Sequence, residues 1–179
     1  MNALRDRRLV VTNIVVADTS LVLNFLRLDR MALLGAWRFD VLATDHVSQE
    51  ITDPVHRARY AKAEASGHIR EEAVTDLAEV AIFLKLATNS RLGPGERSAI
   101  AVALNRGYPL AIDDNRALKR AVAEAGITRQ RLVIYRTQDI VLDLIKSGAL
   151  DVGVANAMKA AWERQHRFKL KFGSFADLL

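Results

Sequence analysis

The chain has 179 residues and no cysteine, and its 26 Lys plus Arg against 21 Asp plus Glu give a net charge of +5. Half of its residues are hydrophobic, which excludes a disordered chain, and the missing cysteines exclude disulfide scaffolds, thiolate zinc sites, iron–sulfur clusters and cysteine nucleophiles. No apolar run approaches the roughly 18 residues that span a bilayer, and the start, MNALRDRRLVV, lacks the long apolar core of a secretory signal, so no membrane association and a cytoplasmic location are expected.

Taken in chain order, Ile14–Ala17 (IVVA) is a continuous apolar run typical of a parallel strand buried on both faces. Thr19 and Ser20 can cap the helix whose apolar spacing continues from Leu21 to Leu26, or hydrogen-bond a ligand carboxylate or phosphate. Residues 39–42 read as a second strand, followed by a helix through Val47 and Ile51. Residues 54–65 read as a polar helix ended by Gly67, and residues 73–89 as another. Gly93-Pro94-Gly95 breaks the chain before a helix over 96–106 that Gly107 ends.

Residues 110–112 form the third expected strand and 115–125 a helix stopping at Gly126. Residues 132–135 form the fourth strand. Thr137 then caps a helix to about Ser147, and 155–166 is the last helix. Phe168, Leu170 and Phe172 alternate with Lys169 and Lys171, which suits an extended tail with its aromatics packed on the body. Strands alternating with helices predict an α/β fold with a mostly parallel sheet. The length suits one domain over residues 1–179, with a C-terminal helix and basic tail at about 151–179.

The acids stand in telling places. In open α/β sheets, ligands bind beyond the carboxyl ends of the strands. Asp18 directly follows IVVA, and Asp113-Asp114 follow LAI, so neighbouring strands would bring these carboxylates together. Asp is also a good turn former and helix cap. Glu96 starts its helix in register with Ala99, Ile100 and Ala103, which points it inward. Glu50 follows Val47 by three residues at the end of a short helix. Inward carboxylates raise one another's pKa, and a divalent cation resolves the conflict. An oxygen-only set suits Mg²⁺ or Mn²⁺. His46, His56, His68 and His166 are scattered, and no P-loop or G-x-G-x-x-G competes.

In order, VVADTSLVLNFL, HVSQEI, GPGERSAIAVA and LAIDDNRALKRAVAEAG resemble the motifs of the PIN-domain (PilT N-terminal) proteins, over about residues 14–149. The later RTQDIVLDLIKSGAL resembles the segment that follows in a subgroup close to the VapC-type toxins. The resemblance implies a three-layer α/β/α sandwich with a central, mostly parallel sheet. It implies a Mg²⁺- or Mn²⁺-dependent endoribonuclease, the toxin of a toxin–antitoxin pair. Asp18, Glu50, Glu96 and Asp114 would be catalytic, and Asp18, Glu96, Asp113 and Asp114 would hold the metal. The family often has Thr where this chain has Ile112, and Asp where it has Glu96. Arg116 and Arg120 follow at helical spacing and would hold the RNA backbone. A PIN-fold module binding RNA or protein with weak or no catalysis stays open as the alternative. An HAD-type phosphatase needs D-x-D-x-T, but Asp18 is followed by Thr19-Ser20-Leu21. The expected partners are an RNA substrate, a cognate antitoxin and a second copy. For the homodimer, Leu33, Leu34 and Trp37 offer a face that core packing would explain equally well.

The charge is uneven. The termini carry the excess, and residues 11–157 hold 18 bases and 18 acids. With the five candidate site acids set aside as cation-bound, the middle becomes basic. Residues 115–146 hold seven bases against three acids. An acidic pocket within a basic surround suits a polyanion brought to a cation.

Overall fold

The computed structural model describes residues 13–88 and 91–179. The basic start, Arg5, Arg7 and Arg8 with Asp6, lies outside these residues, as does Asn89. The strand β1 (Ile14–Ala17) leads to α1 (Thr19–Arg27) and the short α2 (Ala32–Gly35). Next come β2 (Asp40–Thr44), α3 (Asp45–Glu50) and α4 (Pro54–Ala65). β3 (Arg70–Glu72) is followed by α5 (Leu77–Ala87) and α6 (Pro94–Arg106). β4 (Leu110–Ala111) and α7 (Asn115–Ile127) follow. β5 (Ile134–Tyr135), α8 (Thr137–Lys146), α9 (Val152–Gln165) and a 3-10 turn (Phe175–Leu178) complete the described chain.

The five strands form one parallel sheet in the order β3-β2-β1-β4-β5. Side chains alternate between its faces. Val15, Ala17, Val41 and Ala43 pack on one face with Leu21, Phe25, Ile140 and Trp162. Val16, Leu42 and Leu110 pack on the other with Ile100, Ala103, Ala117 and Ala121. The result is the three-layer α/β/α sandwich. No helix among the described residues is long and apolar enough to cross a membrane.

Several elements depart from the expected reading. β3 was not expected because its sequence, Arg-Glu-Glu, has no apolar signal. It lies at the sheet edge, half-exposed, where polar residues suit a strand. The helix expected over 73–89 begins at Leu77, because Asp76 Oδ1 accepts the N–H groups of Ala78 and Glu79. α7 runs through Gly126 to Ile127. Unlike Gly107, whose φ of +67° ends α6, Gly126 keeps a negative φ, and Arg129 (φ +54°) turns the chain instead. α9 starts at Val152, capped by Asp151. β5 covers only residues 134–135. The tail joins no strand, and Phe168, Leu170 and Phe172 pack against the core.

Of the two readings of Leu33, Leu34 and Trp37, the structure shows core packing. Leu34 is fully buried, Trp37 nearly so, and Leu33 packs against the same core. The Trp37 indole N–H donates to Asp143 Oδ2 at 3.0 Å, so these side chains hold α2 to α8.

Candidate active site

The chain leaves β1 toward β2 on one side, while β4 lies on the other side of β1. Such a reversal of strand order opens a crevice at the carboxyl ends of the two strands. Asp18 sits at its floor. Its backbone N–H donates to Ala111 O at 3.0 Å, continuing the β1–β4 ladder. Its side chain is fully buried. Oδ1 accepts the Leu21 N–H at 2.9 Å and Oδ2 accepts the Ser20 hydroxyl at 2.7 Å. Asp18 therefore caps α1, and Thr19 and Ser20 do not. Burial pushes its carboxyl up to about 7 against those hydrogen bonds, and the like charges of Asp113 and Glu96 add to the rise.

Glu50 arrives at the end of α3. Thr44 caps that helix, and its hydroxyl lies 2.6 Å from Ser98 Oγ, locking α3 to α6. The Thr19 hydroxyl donates to Glu50 Oε2 at 2.5 Å, and the Gly95 N–H donates to Oε1 at 2.9 Å. The glycines of Gly93-Pro94-Gly95 make room for this carboxylate. A Cβ at Gly95 would lie 2.6 Å from Glu50 Oε2, and one at Gly93 would lie 2.8 Å from Oε1. Glu96 follows in the first turn of α6, half-buried, with the Gly93 N–H donating to Oε2 at 2.9 Å. Burial raises its carboxyl above the usual range against that bond. Asp114 and Glu50 push the same way, and Arg116 opposes them.

Asp113 follows β4. The Thr137 N–H donates to Oδ1 at 3.1 Å, while the Thr137 hydroxyl and Asn24 Nδ2 donate to Oδ2 at 2.6 and 3.0 Å. Burial raises this carboxyl despite these donors and the charge of Arg136. Asp114 caps α7, accepting the N–H groups of Arg116 and Ala117 at 2.8 and 2.9 Å. Burial opposes its ionisation, but these backbone donors and the Arg116 guanidinium, 3.6 Å away, lower its pKa.

The fold thus gathers Asp18, Glu50, Glu96, Asp113, Asp114 and Arg116 at one crevice. Arg120 is placed elsewhere. It donates to Glu124 Oε1 at 3.0 Å, while Lys85 takes Oε2 at 2.5 Å. Sequence reasoning missed Asn24 and Arg136 and assigned Thr137 to a helix cap. Arg136 Nη2 donates to Asp113 O at 2.7 Å and to Asn115 Oδ1 at 2.6 Å. The Asn24 signal was present: it falls on the second turn of α1, six residues after Asp18, within the otherwise apolar stretch from Leu21 to Leu26.

A family model described as DUF3368: PIN domain matches residues 14–168. The chain belongs to the PIN-domain family. In comparisons with curated proteins and with solved structures, nothing matches. PIN domains are generally nucleases, typically dependent on divalent metal, and they generally bind nucleic acid. The acids of this PIN domain provide oxygen donors alone, as a hard cation prefers. The buried Asp18 beside Asp113 and Glu96 carries charge that a cation would relieve. The donor chemistry therefore fits a hard divalent cation. As they stand, no three His, Asp or Glu side chains among the described residues are close enough to hold an ion. Both oxygens of Asp18, Glu50 and Asp113 are occupied instead by hydroxyl, amide or backbone donors.

Proposed function

We propose that this PIN domain is a Mg²⁺- or Mn²⁺-dependent endoribonuclease of the VapC-like subgroup, the toxin of a toxin–antitoxin pair acting in the cytoplasm. The observation that carries the reading is the buried Asp18 carboxyl, pushed up to about 7 between Asp113 and Glu96 at the β1–β4 crevice. Asp18, Glu96, Asp113 and Asp114 would supply the cation's oxygen ligands. A bound cation would supply Lewis acidity to polarise the phosphodiester and activate water.

The chain's own residues do the rest. Glu50 is the second acid, and the Thr19 hydroxyl and Gly95 N–H fix its position. Thr137 and Asn24 fix Asp113 in the same way. Arg116, exposed beside Asp114, meets the phosphate charge of the RNA. A cognate antitoxin would silence the enzyme by covering the crevice. We take residues 1–179 as a single domain, with the helix and basic tail at 151–179 part of it.

The hydrogen bonds that occupy Asp18, Glu50 and Asp113 favour a second reading, a PIN module that binds RNA or protein and cleaves weakly or not at all. Incubating purified protein with mixed RNA and Mn²⁺ decides between them. Cleavage by the wild type, lost in EDTA and in Asp18→Asn, is the expected result. Equal cleavage by Asp18→Asn overturns the proposed site, and no cleavage by any preparation favours the binding module.

A further inference from the structure

Beside Asp113 lies a groove of about 560 Å³, walled by Arg136 and by the C-terminal strap that carries Lys169 and Lys171. The strap is a built feature. Arg167 turns the chain after α9 with φ +54°. The Phe168 N–H then donates to Trp162 O at 3.2 Å, and the Phe168 ring meets the Trp162 ring edge-on at 5.7 Å. At the far end Phe172 packs edge-on against the fully buried Phe175 at 4.9 Å, whose N–H donates to Asn156 Oδ1 at 2.9 Å.

Between these anchors the alternation of the sequence becomes a two-sided ribbon. Phe168, Leu170 and Phe172 are half-buried against the core, and Lys169 and Lys171 are exposed. Among the described residues neither lysine forms an ion pair, whereas Lys159 is paired with Glu163. Across the groove, Arg136 is held by Asp113 O and Asn115 Oδ1. Three cations therefore share the lining of this groove with Phe168, Leu170, Phe172 and the crevice acid Asp113.

We propose that this groove is a binding subsite for single-stranded RNA, with Arg136, Lys169 and Lys171 on its backbone phosphates and the floor of Phe168, Leu170 and Phe172 against its sugars and bases. The inference rests on the nuclease reading, since it names the path by which the strand reaches the acids. Cations along a rim with aromatic and aliphatic surface beneath suit a single strand, whose bases are free to meet that surface. A duplex keeps its bases stacked inside.

The test measures binding of a short labelled single-stranded RNA in EDTA over a salt series. Lys169→Ala/Lys171→Ala is compared with wild type and with Arg57→Ala/Lys62→Ala, an equal charge change on α4 outside the groove. Each phosphate contact on a single strand contributes about −0.7 to the slope of log affinity against log salt, so the strap variant loses about 1.4 of it. With Mn²⁺ present, the strap variant raises KM by more than it lowers kcat. Equal weakening by the α4 variant, equal affinity for duplex RNA of the same sequence, or unchanged binding by the strap variant overturns the subsite. Unchanged binding with wild-type cleavage intact leaves the nuclease reading standing. Strap-dependent binding without any cleavage overturns the nuclease reading and leaves the subsite.

Discussion

The Thr19 hydroxyl donates a 2.5 Å hydrogen bond to Glu50 Oε2, so the residue after the buried Asp18 also positions an acid on another helix. The Gly95 N–H holds the other oxygen at 2.9 Å, which ties the starts of α1 and α6 to the end of α3.

This arrangement makes Thr19 and Gly95 sensitive positions. Thr19→Val keeps the shape and removes the donor, at a stability cost of about 1 kcal/mol. Gly95→Ala drives a methyl into the Thr19 hydroxyl and places it 2.6 Å from Glu50 Oε2, so both side chains must move. Both variants are expected to remain folded in urea melts and to lose most cleavage activity. Full activity in Gly95→Ala would show that the Glu50 position is not used.

Asp18 gives a pH prediction. Burial raises its folded pKa to about 7, above the 3.8 of the free side chain. The folded protein therefore favours the protonated form. Relative stability is full below about 3.8 and is lost as pH rises toward 7. In EDTA, Asp18→Asn should melt above wild type at pH 8, and the gap should close near pH 4. Mn²⁺ should raise the wild-type melting temperature at pH 8 and leave the variant unchanged.

Arg116 and Arg120 should separate cleanly. Arg120 and Lys85 bind the two oxygens of the buried Glu124 and lower its pKa. That stabilisation is present above the unfolded pKa of Glu124 and is lost as pH falls through the folded one. Arg120→Ala should therefore cost about 1–3 kcal/mol in denaturant melts near neutral pH, and less in acid, with RNA affinity little changed. Arg116→Ala should weaken RNA binding with little effect on stability. The opposite pattern would return the RNA contact to Arg120.

Asn24 holds Asp113 Oδ2 at 3.0 Å and reaches Thr137 Oγ1 at 3.2 Å. Asn24→Asp places a like charge against Asp113. It should reduce Mn²⁺-dependent cleavage while the melting temperature in EDTA falls at pH 8 and recovers in acid. An unchanged cleavage rate would leave Asn24 a packing residue only.

The sequence carried the sheet's centre and the acids' neighbourhood, because both come from short local signals. IVVA is short, β-branched and typical of a buried parallel strand, and an acid directly after a strand end is placed by the strand itself. Glu96 was legible because its helix has an apolar stripe to fix its direction. The edge strand Arg70–Glu72 was illegible, since its pairing with β2 supplies what its polar residues do not. Local reading took Thr137 for a helix cap and left Thr19 open between a cap and a carboxylate or phosphate partner. The hydroxyls of Thr19 and Thr137 go to Glu50 and Asp113, 31 and 24 residues away in sequence, which only the assembled fold brings near. Arg120 looked like an RNA contact because its spacing was right, while its partner Lys85–Glu124 pair spans α5 and α7.

If the acids of the β1–β4 crevice form one divalent-cation site, Mn²⁺ calorimetry on metal-free protein at neutral pH reads that site out. Saturable binding by the wild type, weakened about tenfold or more in Asp18→Asn, is the expected result. Equal Mn²⁺ affinity in the two proteins would contradict it.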